Sequence, residues 1–247
     1  VNGLSVPQFL REFEQDLPAV HRIITSQGGR FVLGVGRDEP YKNWSVATRW
    51  LAGLAAAHNP LMTNDGSVQG TLWFVHVCPV VLPGGAYSLG TFGIGETLSR
   101  DTVDGAGWVY QSAGVLRLEK LTDRQLALLY RGAEALGQFS DLEGFGLPIV
   151  EAYLAGLGIH AASQSGCRPF LESLDDRNGV HFFDGDPESS FQSLDPNTVR
   201  MPWSQAIETR TLLSRERLSS SAVMDVLGSP GAMSKALLDL AREQVPQ

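Results

Sequence analysis

The chain has 247 residues, 43% of them apolar and 19% charged, with 27 Gly and 13 Pro. This composition excludes a disordered chain, a collagen-like fibre and a coiled coil, and the length suits one large domain, or one domain plus a short appendage. With 19 Lys and Arg against 27 Asp and Glu the net charge is −8, which argues against a general nucleic-acid or anionic-membrane surface, so an anionic ligand requires a local cluster of cations.

Along the chain, residues 5–26 set Leu10, Phe13, Leu17, Val20 and Ile24 at helical steps, predicting a helix interrupted at Pro18. Residues 30–35 read as a buried strand ending at Gly36. Residues 43–58 read as a helix with Val46, Trp50, Leu54 and Ala57 on one face, and residues 71–77 as a second strand rich in aromatic and β-branched side chains. Residues 78–112 are Gly-dense and lack a period, so they are expected to form a long loop or an insertion. Strands follow at 114–118, 135–139, 158–162 and 179–183. Helices are expected from Thr122, which caps one running to Tyr130, and at 147–155 and 169–174. Strand–helix alternation with such spacers predicts βαβ units and a parallel sheet flanked by helices. Residues 195–247 read as helical, with Val223, Leu227, Leu237 and Leu240 as apolar stripes.

No stretch approaches the roughly 18 apolar residues of a membrane span, and the N-terminus carries no basic patch followed by an apolar run, as a secretory signal would. Cys78 and Cys167 lack metal-ligand spacing and read as reduced, buried thiols, as expected in the cytoplasm. The five histidines form no HxxxH or HxH array, and no metal site is expected. His76 and His160 read as buried, hydrogen-bonded side chains, and Trp44, Trp50 and Trp73 as core.

The stretch from Glu143 to Glu151 carries the most chemistry. Gly144 and Gly146 let a backbone approach a ligand closely. Pro148 suits the first turn of a helix, whose free N–H groups then face back onto the loop as an anion site. Glu143 precedes that loop and Glu151 lies one turn into the helix, so two carboxylates flank one pocket at different heights, an arrangement suited to sugar and ribose hydroxyls. Arg37 and Lys42 follow the first strand, on another loop that opens at the carboxyl ends of the strands. Two cations facing a helix N-terminus suit a diphosphate.

Several segments in order resemble the nucleotide-sugar-binding half of retaining GT-B glycosyltransferases, the large family that includes sucrose-synthase and mannosyltransferase relatives. They are residues 35–43, residues 121–136 (LTDRQLALLYRGAEAL), residues 140–156 (SDLEGFGLPIVEAYLAG, two glutamates with seven residues between them), and residues 161–169 and 179–188. The resemblance covers roughly residues 30–190. It implies a Rossmann-like parallel α/β domain over 30–194, entered through a linker and helix at 1–29 and followed by the helical segment 195–247. It implies that Arg37 and Lys42, after Gly36, hold the donor's diphosphate and that Glu143, with the backbone of Phe145, Gly146 and Leu147, binds the donor sugar. Glu151 would accept hydrogen bonds from the ribose, and the backbone of Leu116, Arg117 and Leu118 would edge the base.

The implied donor is a nucleoside-diphosphate sugar, with no metal or other cofactor. The implied partner is an N-terminal acceptor-binding domain on the same full-length chain or on a partner subunit, since Val1–Gly3 resembles the entry into the C-terminal half. Nucleic acid is not expected as a partner, and any peripheral membrane contact would be made through that other half. The chain departs from the family pattern at Phe139, where a proline is usual, at Phe170, where an acid is usual, and in residues 75–79, which lack a terminal glycine. Two other functions fit the same architecture: a nucleotide-sugar epimerase, for which the loops offer no strong base, and a non-catalytic binding or regulatory module.

Overall fold

The computed structural model describes residues 4–18, 20–21, 30–37, 39–44, 46–47, 50, 72–78, 99–103, 107–112, 115–119, 121–141, 143–173, 179–184 and 203–219, with backbone alone at 99–103, 107–112, 203 and 218–219. Helix α1 (Val6–Asp16) starts where the Ser5 side chain accepts from the Gln8 N–H, and it buries Phe9 and Phe13. It ends at Asp16, ahead of Pro18, and a further helical turn follows at residues 18 and 20–21. The next elements are β1 (Arg30–Val35), a 3₁₀ turn at Pro40–Lys42, β2 (Leu72–Cys78), β3 (Ser99–Val103), β4 (Gly107–Ser112) and β5 (Val115–Glu119). The remainder comprises α2 (Asp123–Gly132), β6 (Ala135–Gln138), α3 (Leu147–Leu154), β7 (Gly158–Ala162), α4 (Arg168–Glu172), β8 (Val180–Phe183) and α5 (Trp203–Ser219). Thr122 caps α2 in a full capping box with Gln125.

The eight strands form one sheet in the order β3-β4-β5-β2-β1-β6-β7-β8. From β5 to β8 all neighbours run parallel, while β3 and β4 add an antiparallel ribbon at the β5 edge. Numbering the parallel strands alone gives 3-2-1-4-5-6, the doubly wound order of dinucleotide-binding domains, which confirms a Rossmann-like α/β domain. Residues 78–112, expected as a loop or insertion, thus contribute two paired strands. The polar β3 (SRDTV) and the Gly-flanked β4 (GWVYQS) form a hairpin at the sheet's edge rather than in its core. Of the predicted helix at 43–58, residues 44, 46, 47 and 50 are helical. Asn43 precedes them as the left-handed end of the 3₁₀ turn, and the rest of that stretch, like the stripes from Val223 to Leu240, lies outside the described residues.

Side chains alternate between two differently filled faces. Phe31, Leu33 and Val35, Trp73, Val75 and Val77, Leu116 and Leu118, and Ile159 and Ala161 join the helices' Phe9, Phe13, Leu129, Tyr153 and Ile207 in one core. The other face holds an aromatic layer. Trp44 lies 4.3 Å from His76, Trp50 5.1 Å from His160 and 5.4 Å from Phe139, and His160 stacks on His181 at 5.2 Å. A Cβ at Gly34 would come within 2.5 Å of the Phe74 ring, and one at Gly137 within 2.8 Å of Trp50, so these strand glycines admit the rings. Burial pushes His160 down to about 3, aided by His181, so it stays neutral at ordinary pH.

Helix α5 ties this body together. Glu134 pairs with Arg30 at 2.8 Å and with Arg210 of α5 at 2.9 Å, all three being buried. Arg217 donates to the carbonyl of Tyr153 at 2.8 Å and Ser214 to that of Leu154, which satisfies the open C-terminus of α3. No helix among the described residues is long and apolar enough to cross a membrane. Glu134→Gln leaves two buried guanidiniums facing a neutral amide and is expected to lower stability by about 3–5 kcal/mol, measured by urea unfolding.

Candidate functional site

The winding reverses between β1 and β6, so the loops that follow these two strands diverge and leave a crevice at their carboxyl ends. After β1, the Gly36 N–H donates to the Val77 carbonyl at 3.0 Å, and His76 Nε2 lies 3.0 Å from the Gly36 carbonyl and donates to it. Trp44 Nε1 donates to the Arg37 carbonyl at 2.9 Å. The 3₁₀ turn then ends on Asn43, which has a left-handed φ of 54°. Its Nδ2 donates to the Phe139 carbonyl at 3.1 Å, while the Asp141 N–H donates to the Tyr41 carbonyl at 3.0 Å. These two bonds staple the β1 loop to the β6 loop.

A largely buried ion pair between Lys42 and Glu143, each side chain 11% exposed, closes the staple. Gln138 Nε2 and Ser140 Oγ each donate to the same Glu143 oxygen, Oε1, at 2.8 Å. Three donors therefore crowd one oxygen, and among the described residues none donates to Oε2. Burial works to raise the Glu143 carboxyl, but the bonds from Lys42, Gln138 and Ser140 outweigh it and hold the group below its ordinary value. Gly36 lies under this cluster: a Cβ there would be 3.8 Å from both Gln138 Nε2 and the Lys42 stem.

Beyond Glu143 the chain enters α3 through Gly146, whose left-handed φ of 77° marks the N-cap. Among the described residues no side chain caps α3, and Pro148 lies in its first turn, so its N-terminal dipole can meet an anion. Phe145 and Leu147 are exposed beside it. The loop after β7 supports this turn from below. A Cβ at Gly166 would sit 2.0 Å from the Gly144 carbonyl oxygen, so the two backbones touch. Cys167 is buried at the same place, and burial pushes its thiol up to about 12, which leaves it inert.

Glu151 lies one turn into α3 and is half-buried. Burial raises its carboxyl above the ordinary value, although a 2.8 Å hydrogen bond from the buried Tyr130 hydroxyl to Oε2 pulls the other way. Arg37 shares the loop with Lys42, but its side chain is 64% exposed and, among the described residues, pairs with Glu39 at 3.7 Å. Leu116, Arg117 and Leu118 lie inside the sheet, paired to β2 on one side and β4 on the other, with buried side chains. Arg168 pairs with Glu172 at 2.7 Å. A cavity of about 40 Å³ lined by Asn43, Phe139, Asp141, Gln164 and Phe183 lies nearby, large enough for water but not for a sugar.

The structure thus brings Lys42, Glu143, Gly36 and the Gly144–Gly146 turn together, with Glu151 further along the same helix. It leaves Arg37 at the rim and the 116–118 segment in the sheet. Sequence reasoning missed Gln138, Ser140 and Asn43, and it read Tyr130 only as the last residue of a helix. Gln138 carried a signal, being a polar side chain in an otherwise apolar strand. The other three look like ordinary turn or helix residues. Among the described residues, no three His, Cys, Asp or Glu side chains gather as a metal cluster.

No protein-family model matches the chain, and no curated protein matches it by sequence. Among solved structures it is similar to the UDP-forming α,α-trehalose-phosphate synthase of Burkholderia xenovorans, at 13% identity and a TM-score of 0.49, over 87% of this chain and 49% of that one. It is also similar to the sucrose-phosphate synthase of Thermosynechococcus elongatus, at 13% identity and a TM-score of 0.47, over 87% and 49%. WaaG, a glycosyltransferase involved in lipopolysaccharide biosynthesis, is similar at 14% identity and a TM-score of 0.46, over 85% and 50%. The chain spans about half the length of each. These likenesses are weak, and the fold assignment rests on the strand order.

Gly166→Ala is expected to push the Gly144 turn outward, lowering stability by about 1–3 kcal/mol and shifting the Gly144 and Gly146 amide resonances more than those of β1. The Glu143 carboxyl titrates below its ordinary 4.5 in the folded chain. Its stabilising contribution is therefore complete above that pH and is lost as the pH falls through the lower, folded value. Thermal melts of wild type and Glu143→Gln should differ at pH 7 and converge in that acid range.

Proposed function

We propose that the chain is the donor-binding domain of a retaining glycosyltransferase, which holds a nucleoside-diphosphate sugar for transfer to an acceptor bound by another domain. What carries this reading is the Lys42–Glu143 pair, seated in the crevice between β1 and β6 beside a helix N-terminus without a side-chain cap, with one carboxylate oxygen unused among the described residues. A diphosphate there meets the Lys42 ammonium, which has further N–H bonds to give, and the α3 dipole. Both stabilise negative charge as it grows on the leaving group. Arg37, loosely paired at the rim, turns inward to the same diphosphate.

Glu143 Oε2 accepts from a sugar hydroxyl, in a carboxylate already oriented by Gln138 and Ser140. Glu151 accepts from the ribose. The backbone of Phe145, Gly146 and Leu147 borders the sugar, and the 116–118 segment borders the base. In this reading the charge stabilisation comes from these cations and the helix end, without a metal, and the protein works in the cytoplasm. The second domain, on the same chain or a partner subunit, supplies the acceptor wall. The transferase reading is preferred over an epimerase because the carboxyl nearest the proposed sugar, Glu143, is held ionised by three donors rather than poised near neutrality as a base.

Isothermal titration of UDP, GDP and ADP should find one that binds the chain. Lys42→Ala and Glu151→Ala should each weaken that binding about tenfold or more, the worth of a charge-assisted hydrogen bond. Failure of all three nucleotides to bind, or indifference to both substitutions, would sink the reading.

A further inference from the structure

Glu143 and Glu151 are built to one plan. Each carboxylate has one oxygen anchored by protein donors, and its other oxygen has no partner among the described residues. Glu143 Oε1 is anchored by Lys42, Gln138 and Ser140. Glu151 Oε2 is anchored by a single group, the Tyr130 hydroxyl at 2.8 Å. That hydroxyl comes from a different element, α2, and lies 3.4 Å from the Pro148 carbonyl in the first turn of α3. The Tyr130 ring is 5% exposed and belongs to the central core, so its position is set by packing between α2 and α3 rather than by solvent. A half-buried glutamate without such an anchor has several rotamers open to it and loses the direction of its unused oxygen.

We propose that Tyr130 is a positioning residue that aims Glu151 Oε1 at the ribose hydroxyls, and so sets how strongly the site prefers a ribonucleotide to a deoxyribonucleotide. This rests on the donor-site reading above, in which Glu151 faces the ribose. The hydroxyl donates its proton to Oε2, which leaves Oε1 as an acceptor for a ribose hydroxyl. Tyr130 itself touches no ligand. Its phenol also supplies the carboxylate's one donor among the described residues.

Tyr130→Phe removes the anchor and keeps the ring. The measurement is the Kd of whichever of UDP, GDP or ADP binds, and of its 2′-deoxy counterpart, for wild type, Tyr130→Phe, Glu151→Ala and the double variant. Wild type should prefer the ribonucleotide about tenfold or more. Tyr130→Phe should cut that preference to about threefold or less by weakening the ribonucleotide alone, and in the Glu151→Ala background it should change nothing further. A preference retained in Tyr130→Phe but lost in Glu151→Ala would overturn the role of Tyr130 and leave the donor site intact. Equal weakening of both nucleotides by Tyr130→Phe would mean that the hydroxyl is merely structural. A wild type indifferent to the 2′-hydroxyl would overturn the assignment of Glu151 as well. Should Tyr130→Phe melt far below wild type, the double variant still decides: a further change in preference there counts against the proposal.

Discussion

The site depends on the ion pair between Lys42 and Glu143, which joins two loops whose paired side chains are 101 residues apart in sequence. Burying two charges is costly, and a buried pair often stabilises no more than well-packed apolar groups would. This one is compensated by two further donors, Gln138 and Ser140, aimed at the same oxygen. The result is a fixed carboxylate with one oxygen and, beside it, an ammonium with further hydrogens that meet no hydrogen-bond partner among the described residues. Rigidity of this kind matters more for holding a ligand than for holding the fold.

The pair stays in place because the sheet beneath it has two unlike faces. On one face, helices pack through aliphatic and phenylalanine side chains. On the other, an aromatic layer places Trp44 so that its indole N–H holds the Arg37 carbonyl, and thereby shapes the turn that presents Lys42. Glycines at 34 and 137 are what that layer requires of the strands. At the far end of α3, Arg217 and Ser214 satisfy the last carbonyls, so α5 anchors the helix whose other end forms the site. The ion triad of Arg30, Glu134 and Arg210 binds α5 to the sheet in turn.

The parallel strands were legible because central strands buried on both faces are short apolar runs, and β1 and β2 are buried along their whole lengths. Helix starts were legible at Thr122 and Pro148, where local capping chemistry acts over a few residues. The β3–β4 hairpin was not, since β3 (SRDTV), at the sheet's edge, needs no apolar run and the short run of β4 (GWVYQS) is set in Gly-dense sequence. The site divided in the same way. Glu143, the Gly144–Gly146 turn and Glu151 form one contiguous motif, while Gln138, Ser140 and Tyr130 act only through where their hydrogen-bonding atoms end up.

Residue order alone determined the alternation of strands and helices, the uncapped turn into α3 and the residue types able to meet an anion. Each of these follows from dihedral preference, hydrophobic period or backbone dipole, which operate within a turn or two of the chain. Tertiary structure alone decided that Lys42 meets Glu143 while Arg37 faces solvent, and that Tyr130 rather than a ligand occupies one oxygen of Glu151. Those outcomes turn on which strand lies beside β1 and on differences of a few ångströms between side chains far apart in sequence.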